Sequence, residues 1–379
     1  MIPARRNWSF LFALVALGHV AILAVGTLLR PGSYKLLDWV ISYDAGFVRR
    51  GLTGAVFQGI AQLTGIPLNI QVYATVTALS LILIWAIWRL WTLGGLDGRF
   101  AMLLVAPFFL LAPLANHHGA GRKELLLLAA FAILCLVVAR SAGRGETPIR
   151  LFLLASPLLV LTHEGLAFFL GLPLALALVL GQSGRALAVT AACALPSVAL
   201  LGVFALQGPV SEGSVATLCA GLDGILGAPQ LAADCATTDN AVTWLGTDTA
   251  TSLEIVRLHL PQFLASLAPA LLLIGLAFVP LHALVVENRQ PLVFALVIVL
   301  AISAPLFALA IDWGRFLSVI ASGFGLILLT LRARAPAAGV PGPHPALLAS
   351  YALGWGLGLV APLVGPGLLM KLPLMALSD

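Results

Sequence analysis

An acid and two adjacent arginines, Asp44, Arg49 and Arg50, stand in the run Ser-Tyr-Asp-Ala-Gly-Phe-Val-Arg-Arg-Gly at 42–51. A carboxylate can accept a proton from a hydroxyl. An arginine grips an oxyanion with a planar fork of donors and stays charged when partly desolvated. Three more groups of this kind follow along the chain. They are His117 and His118 with Arg122, Lys123 and Glu124; His163 with Glu164; and Asp312 with Arg315. Each lies within or beside apolar sequence, where a charge is costly unless paired or hydrated.

Each group also has a plainer reading. Asp44 and the arginines could be paired charges anchoring an interfacial helix. Asp38, beside Leu36, Leu37 and Trp39, reads as an anchor of that kind. Arg122, Lys123 and Glu124 could be a solvated loop, and His163 could cap a helix end. Asp312 and Arg315, three apart, could form a local salt bridge. His117 and His118 could ligate a metal, but no carboxylate or cysteine at ligand spacing accompanies them, so no metal is assigned and no cofactor is expected. His19 reads as a hydrogen-bonding residue within a helix bundle.

The elements that must position these groups are membrane helices. Of 379 residues, 61% are hydrophobic and 9% charged, with a mean hydropathy of +1.07; soluble domains carry roughly 25% charged residues. The apolar runs are continuous rather than alternating, which excludes a β-barrel. The fold class is all-α and polytopic, with about eleven transmembrane helices by the ~20-residue criterion. The expected spans are 8–29, 68–92, 100–115, 125–140, 151–163, 166–182, 186–206, 261–285, 291–311, 316–331 and 346–366. A last apolar piece, 367–376, is placed at the surface. One integral membrane domain covers 1–379, with an extracytoplasmic loop at 207–260. The first apolar run is too long for a secretory signal core and reads as a retained helix.

Charge sets the orientation. With the N-terminus cytoplasmic, the inner segments hold Arg5, Arg6, Arg89, Arg99, Arg140, Arg144, Arg150, Arg185, Arg289, Arg332 and Arg334 against only Asp97, Glu146 and Glu287. That is the positive-inside pattern. It also accounts for the net charge of +5 without nucleic acid, since no basic tract with interleaved aromatics is present. All four ionisable groups then fall on the outer side. In the first outer loop, 30–67, Val48, Leu52, Val56, Ile60 and Leu63 have the spacing of an interfacial helix.

Cys219 and Cys235 lie in the 207–260 loop, sixteen positions apart, on the side where thiols can oxidise. A structural disulfide is expected there, while Cys135 and Cys193 read as small buried hydrophobes. Gly354, Gly356 and Gly358 follow no strand and read as helix-packing positions rather than a dinucleotide loop. Asn7-Trp8-Ser9 matches a glycosylation sequon on the inner side and is set aside.

Several arginines and Lys123 could hold a phosphodiester or diphosphate, Asp44 could take a hydroxyl proton, and arginine could stabilise a departing phosphate. Those are the parts of glycosyl transfer from a polyprenyl-phosphate donor. The layout resembles the GT-C superfamily of polytopic glycosyltransferases, whose long first outer loop carries interfacial helices and an essential aspartate. The resemblance implies a lipid-phosphate sugar donor, membrane lipids as surroundings and Asp44, or else Asp38, in the aspartate's place. The chain lacks the adjacent Asp-Asp or Glu-Asp pair found in parts of that superfamily. It also looks like polymerases and ligases of surface polysaccharides.

The expectation is thus a multi-pass transferase of a bacterial inner membrane, working in cell-envelope glycan assembly. Asp44 is its catalytic residue. Arg49, Arg50, His117, His118, Arg122, Lys123, His163, Glu164, Asp312 and Arg315 are its substrate-binding residues. A transporter or flippase of an anionic lipid and a non-enzymatic membrane subunit are the competing classes. Oligomeric state, sugar and acceptor are not legible in the sequence.

Overall fold

The computed structural model describes residues 33–106 and 121–336, together with the isolated positions 13, 16, 17 and 109. Those positions aside, the first expected span lies outside the described residues, as do the last expected span, half of 100–115, the piece 367–376, and both His117 and His118. The described chain is helical, with no strand.

The principal helices are α1 (Ser33–Val40), α2 (Gly51–Thr64), α3 (Leu68–Leu93), α4 (Glu124–Arg140), α5 (Gly171–Val179), α6 (Gly184–Ala192), α7 (Leu195–Gln207), α8 (Glu212–Ala220), α9 (Thr249–Phe278), α10 (Arg289–Leu309) and α11 (Trp313–Arg334). Shorter helices between them are named by their residues. Helix α11 is the axis. Its most apolar stretch is 83% buried, against 17–39% for the other helices of spanning length. It packs against α3 and α4 and also touches α5 and α10.

Four helices run the same way. The start of α4 meets the start of α11, where Arg315 Nε lies 3.2 Å from Glu124 Oε1. Their far ends meet again, where Arg334 Nη1 donates to the carbonyl of Val138 at 3.0 Å. Beyond the end of α3, Asp97 lies 2.9 Å from Arg332 Nη2. After α5, Gln182 donates to the carbonyl of Arg144. One end of the bundle therefore gathers Asp312, Arg315, Lys123 and Glu124, and the other gathers Asp97, Arg99, Arg332 and Arg334. At ~1.5 Å per residue, the 22 residues of α11 separate the two ionic layers by roughly 33 Å. That matches a hydrocarbon core of about 30 Å.

Between the layers, large apolar side chains face outward: Leu81, Ile82 and Trp85 on α3, and Val293, Phe294, Val297 and Leu300 on α10. A water-facing surface rarely carries so many; the pattern is consistent with a multi-pass membrane protein. Four described helices are long and apolar enough to cross: Leu68–Leu93, Ala270–Glu287, Arg289–Leu309 and Trp313–Arg334. The pair α6 and α7, bent by 41°, makes a fifth if it is one span.

Several hydropathy-read spans differ from the helices observed. The stretch 151–163 belongs to helices Glu146–Ala155 and Pro157–Thr162, which meet at Ser156 because Pro157 has no N–H to donate. The stretch 166–182 begins as a 3₁₀ turn, Glu164–Phe169, before α5. The stretch 186–206 is the bent pair. The 207–260 loop is largely helical: it holds α8, the short helix Pro229–Asp234, a 3₁₀ turn at Thr243–Gly246 and the start of α9.

The 42–51 run enters α2, which lies close against the end of α1. A Cβ at Gly54 would overlap the carbonyls of Val40 and Ile41, so that position admits only glycine without a shift. Phe57 and Ala61 face the body of the protein, while Val56, Ile60 and Leu63 are exposed. The later part of the expected stripe thus points away from the core, while Val48 is buried and Leu52 partly so.

Candidate functional site

Arg50, Glu164, Lys123 and Asp38 form the centre of the ionic layer at the Arg315 end of the bundle. Arg50 Nε lies 2.9 Å from Glu164 Oε2, and Arg50 Nη2 lies 2.6 Å from Oε1. This is the two-pronged geometry that makes arginine–carboxylate pairs strong. Arg50 Nη1 is 3.7 Å from Asp38 Oδ1. The Arg50 backbone is left-handed, with φ 68°, an uncommon state for a residue with a Cβ. Two contacts hold it there. The fork to Glu164 fixes the side chain, and Lys123 Nζ donates to the Arg50 carbonyl at 3.2 Å.

Lys123 is fully buried. Its second bond goes to the Thr162 carbonyl at 2.8 Å. Burial pushes its pKa down to about 8, against the opposing pull of Asp38. Asp38 is 1% exposed. Burial alone would raise its pKa; the charges of Lys123, Arg50 and Arg122 outweigh that and hold it below the ordinary value. Glu164 follows the same pattern. Burial opposes ionisation, and Arg50 overcomes it, so the carboxyl titrates well below its usual range.

His163 has its ring close by but acts locally. Its Nδ1 accepts from the Gly165 N–H at 2.9 Å, capping the 3₁₀ turn. An accepting Nδ1 carries no proton, so its 3.8 Å approach to Glu164 is not an ion pair.

A second lobe is built by Arg315, 3.0 Å from Asp312 and 3.2 Å from Glu124. The local Asp312–Arg315 pair is therefore present, and Glu124 from α4 joins it. Arg122 stacks over the Tyr34 ring at 4.1 Å. Arg49 turns the other way. Its Nη2 donates to the carbonyls of Trp244 and Leu245, at 3.2 and 3.1 Å, leaving Nε 4.0 Å from Glu164.

The structure thus brings Arg49, Arg50, Lys123, His163, Glu164, Asp312 and Arg315 together at one end of the bundle. It does not place Asp44 in the same network. The Asp44 carboxylate accepts from Ser42 Oγ at 2.8 Å and Gln58 Nε2 at 2.7 Å, and it is exposed to solvent. The carboxylates that meet the cations are Asp38, Glu124, Glu164 and Asp312. The sequence groups Glu124 with Arg122 and Lys123 but gives it no role, and Asp38 stands there only as the alternative to Asp44. The signal that could have found Asp38 is its register: one helical turn holds Leu36, Leu37, Trp39 and Val40, all buried, and Asp38 is buried among them.

Around this layer several buried polar atoms have no hydrogen-bond partner: Asp38 Oδ1 and Oδ2, Glu124 Oε2, and Arg315 Nε and Nη1. Buried donors and acceptors are nearly always satisfied. These atoms therefore suit a guest that offers acceptors to Arg315 and donors to Asp38. Among the described residues no cluster of three His, Cys, Asp or Glu side chains could hold a metal ion.

Cys219 and Cys235 are disulfide-bonded, with Cα atoms 5.6 Å apart. Cys135 is buried and Cys193 partly so. The chain matches no protein-family model, no curated protein and no solved structure.

Proposed function

We propose that this chain is a membrane glycosyltransferase that uses a polyprenyl-phosphate-linked sugar at the extracytoplasmic face of a bacterial inner membrane, with its N-terminus cytoplasmic. The observation that carries the reading is the set of buried atoms on Asp38, Glu124 and Arg315 that make no hydrogen bond, with Arg315 Nε and Asp38 Oδ1 met only by ion-pair contacts. A sugar phosphate offers what they lack: oxyanion acceptors for the guanidinium and hydroxyl donors for the carboxylates. The lipid tail follows from position, because the cluster lies at the ends of apolar helices.

In this reading Arg315, with Arg122 and Lys123 in the same layer, stabilises the lipid phosphate as it departs. Arg50 is committed to Glu164 and organises the site. Asp44, exposed on the same segment as Arg49 and Arg50, takes the proton of the acceptor hydroxyl as that oxygen attacks the anomeric carbon. A single displacement inverts that carbon, since among the described residues no second carboxylate is paired with Asp44 as a nucleophile. Joining two lipid-linked glycans, as a polymerase or ligase does, is the close variant, distinguished by a preference for long glycan donors.

One feature favours a second reading. The bent pair α6–α7 packs its second half against Pro157–Thr162 and the 164–169 turn, beside Glu164. Broken helices beside a charged site are a feature of transporters, so export of an anionic lipid is the rival. The deciding experiment supplies purified protein in liposomes with a polyprenyl-phosphate sugar and a hydroxyl acceptor. Formation of a glycosidic product supports the transferase. Lipid crossing the bilayer without product supports the transporter. Neither outcome, together with no phospholipid-like or polyprenyl-phosphate ligand in mass spectra of the purified protein, defeats both.

A further inference from the structure

The segment 208–248 folds back over the 42–50 run and meets it at two separate points, a close packing contact at Gly221 and hydrogen bonds to Arg49, and the disulfide lies between them. The first contact starts from Cys219. Gly221, two residues on, caps the end of α8, and the Asp44 carboxylate packs against it. A Cβ added at Gly221 would meet Asp44 Oδ2 at 2.6 Å. Gly221 has an ordinary helical backbone, φ −63°, so the glycine serves space rather than conformation. The second contact starts from Cys235. Its carbonyl accepts from Asn240 Nδ2 at 2.6 Å. Asn240 is fully buried, and its Oδ1 accepts from the Val242 N–H at 2.8 Å. That fixes the turn whose Trp244 and Leu245 carbonyls hold Arg49. The Leu245 carbonyl also accepts from the Val210 N–H, closing the base of the segment.

We propose that the Cys219–Cys235 bond is an oxidation-dependent clamp: formed, it keeps Gly221 packed against Asp44 and, through Asn240, holds the carbonyls that bind Arg49; broken, it releases both contacts. The geometry places both cysteines at the junction of the two arms, and no other covalent link joins those arms among the described residues. Reduction by a dithiol is balanced. The S–S bond accepts two electrons and two protons to give two thiols, and the dithiol closes to its own disulfide. The segment is then a strap whose tension on the 42–50 run is set by thiol oxidation. The inference is independent of which substrate the site takes.

Hydrogen–deuterium exchange on the full chain in detergent tests it, with overlapping peptides resolving 42–46, 47–50 and 242–246. On reduction, with two new thiols titrated, exchange in all three should rise by about tenfold, as expected when one or two net hydrogen bonds are lost. The Cys219→Ser/Cys235→Ser variant should match the reduced protein. In oxidised protein, Asn240→Ala should loosen 47–50 and 242–246 but spare 42–46. Gly221→Ala should loosen 42–46 and spare 242–246. Full reduction with unchanged exchange in 42–50 overturns the clamp. So does reduction that exposes 124–140 and 313–334 equally, since that is general unfolding.

Discussion

The guanidinium of Arg50 and the carboxylate of Glu164, 114 positions apart in sequence, meet as a two-pronged pair with a 2.6 Å shortest contact. Both side chains are 15% exposed. The Nε–Nη2 edge of this arginine is committed to Glu164, so the pair ties loop to turn. Removing one member leaves the other charge buried with only a long contact, Asp38 for Arg50 or Arg49 for Glu164, at a cost of up to ~3–5 kcal/mol, whereas replacing both with apolar residues can be nearly neutral. Arg50→Ala and Glu164→Gln should each lower the unfolding midpoint in detergent markedly. Arg50→Met combined with Glu164→Leu should lose far less than the two single losses together. Additive losses would show that the pair is not coupled.

Lys123 and the acids around it give stability a characteristic pH profile. Asp38 and Glu164 have folded pKa values below their ordinary 3.8 and 4.5. Their contribution is complete above those ordinary values and is lost as pH falls through the lower folded ones. Lys123 behaves in the opposite limb. Folded, it releases its proton near 8, whereas the unfolded chain holds it to 10.5. The unfolded state binds more protons in that window, so this residue makes stability rise between about 8 and 10.5. Thermal unfolding of the wild type and Lys123→Met, scanned over pH, should differ in slope within that window and run parallel from pH 6 to 7. Identical alkaline slopes would remove Lys123 as the cause.

The gathering of charge at one end was legible in the sequence, because an apolar chain places ionisable groups sparingly. Asp312 with Arg315 and the 42–51 run could be singled out on that ground alone. Pairing was not legible. Nothing local links Arg50 to Glu164, and Asp38 looks like an interfacial anchor until α1 is seen to bury Leu37, Trp39 and Val40 around it. Hydropathy also counts apolar runs without seeing where they break. Pro157 and the turn at His163 interrupt stretches that score as spans, and the 207–260 loop is polar in sequence yet largely helical.

The two ionic layers make a topological prediction. Asp223, exposed after α8, belongs to the layer of Arg315, and exposed Arg144 belongs to that of Arg334. With Cys135 and Cys193 replaced and the disulfide kept, a reporter cysteine at 223 should react with a membrane-impermeant maleimide in intact spheroplasts. One at 144 should react only after permeabilisation. Labelling of both before permeabilisation would refute a crossing between the layers.

Asp44 and Asp38 separate chemistry from architecture. Asp44 is exposed and bonded to Ser42 and Gln58, so Asp44→Asn preserves size and most hydrogen bonding while losing the ability to take a proton. A positioned base is worth ~10²–10⁴ in rate. Turnover of a polyprenyl-linked sugar should fall by about that factor, with the unfolding midpoint unchanged. Asp38 is buried against Lys123 and Arg50, and neutralising it leaves those cations without their shared counter-charge. Asp38→Asn should therefore lower the unfolding midpoint and weaken donor binding together. If Asp44→Asn keeps full turnover, Asp44 leaves the mechanism. The half-exposed Asp312 is then the next base to test, because Glu164 is held ionised by Arg50 and has no free oxygen to receive a proton.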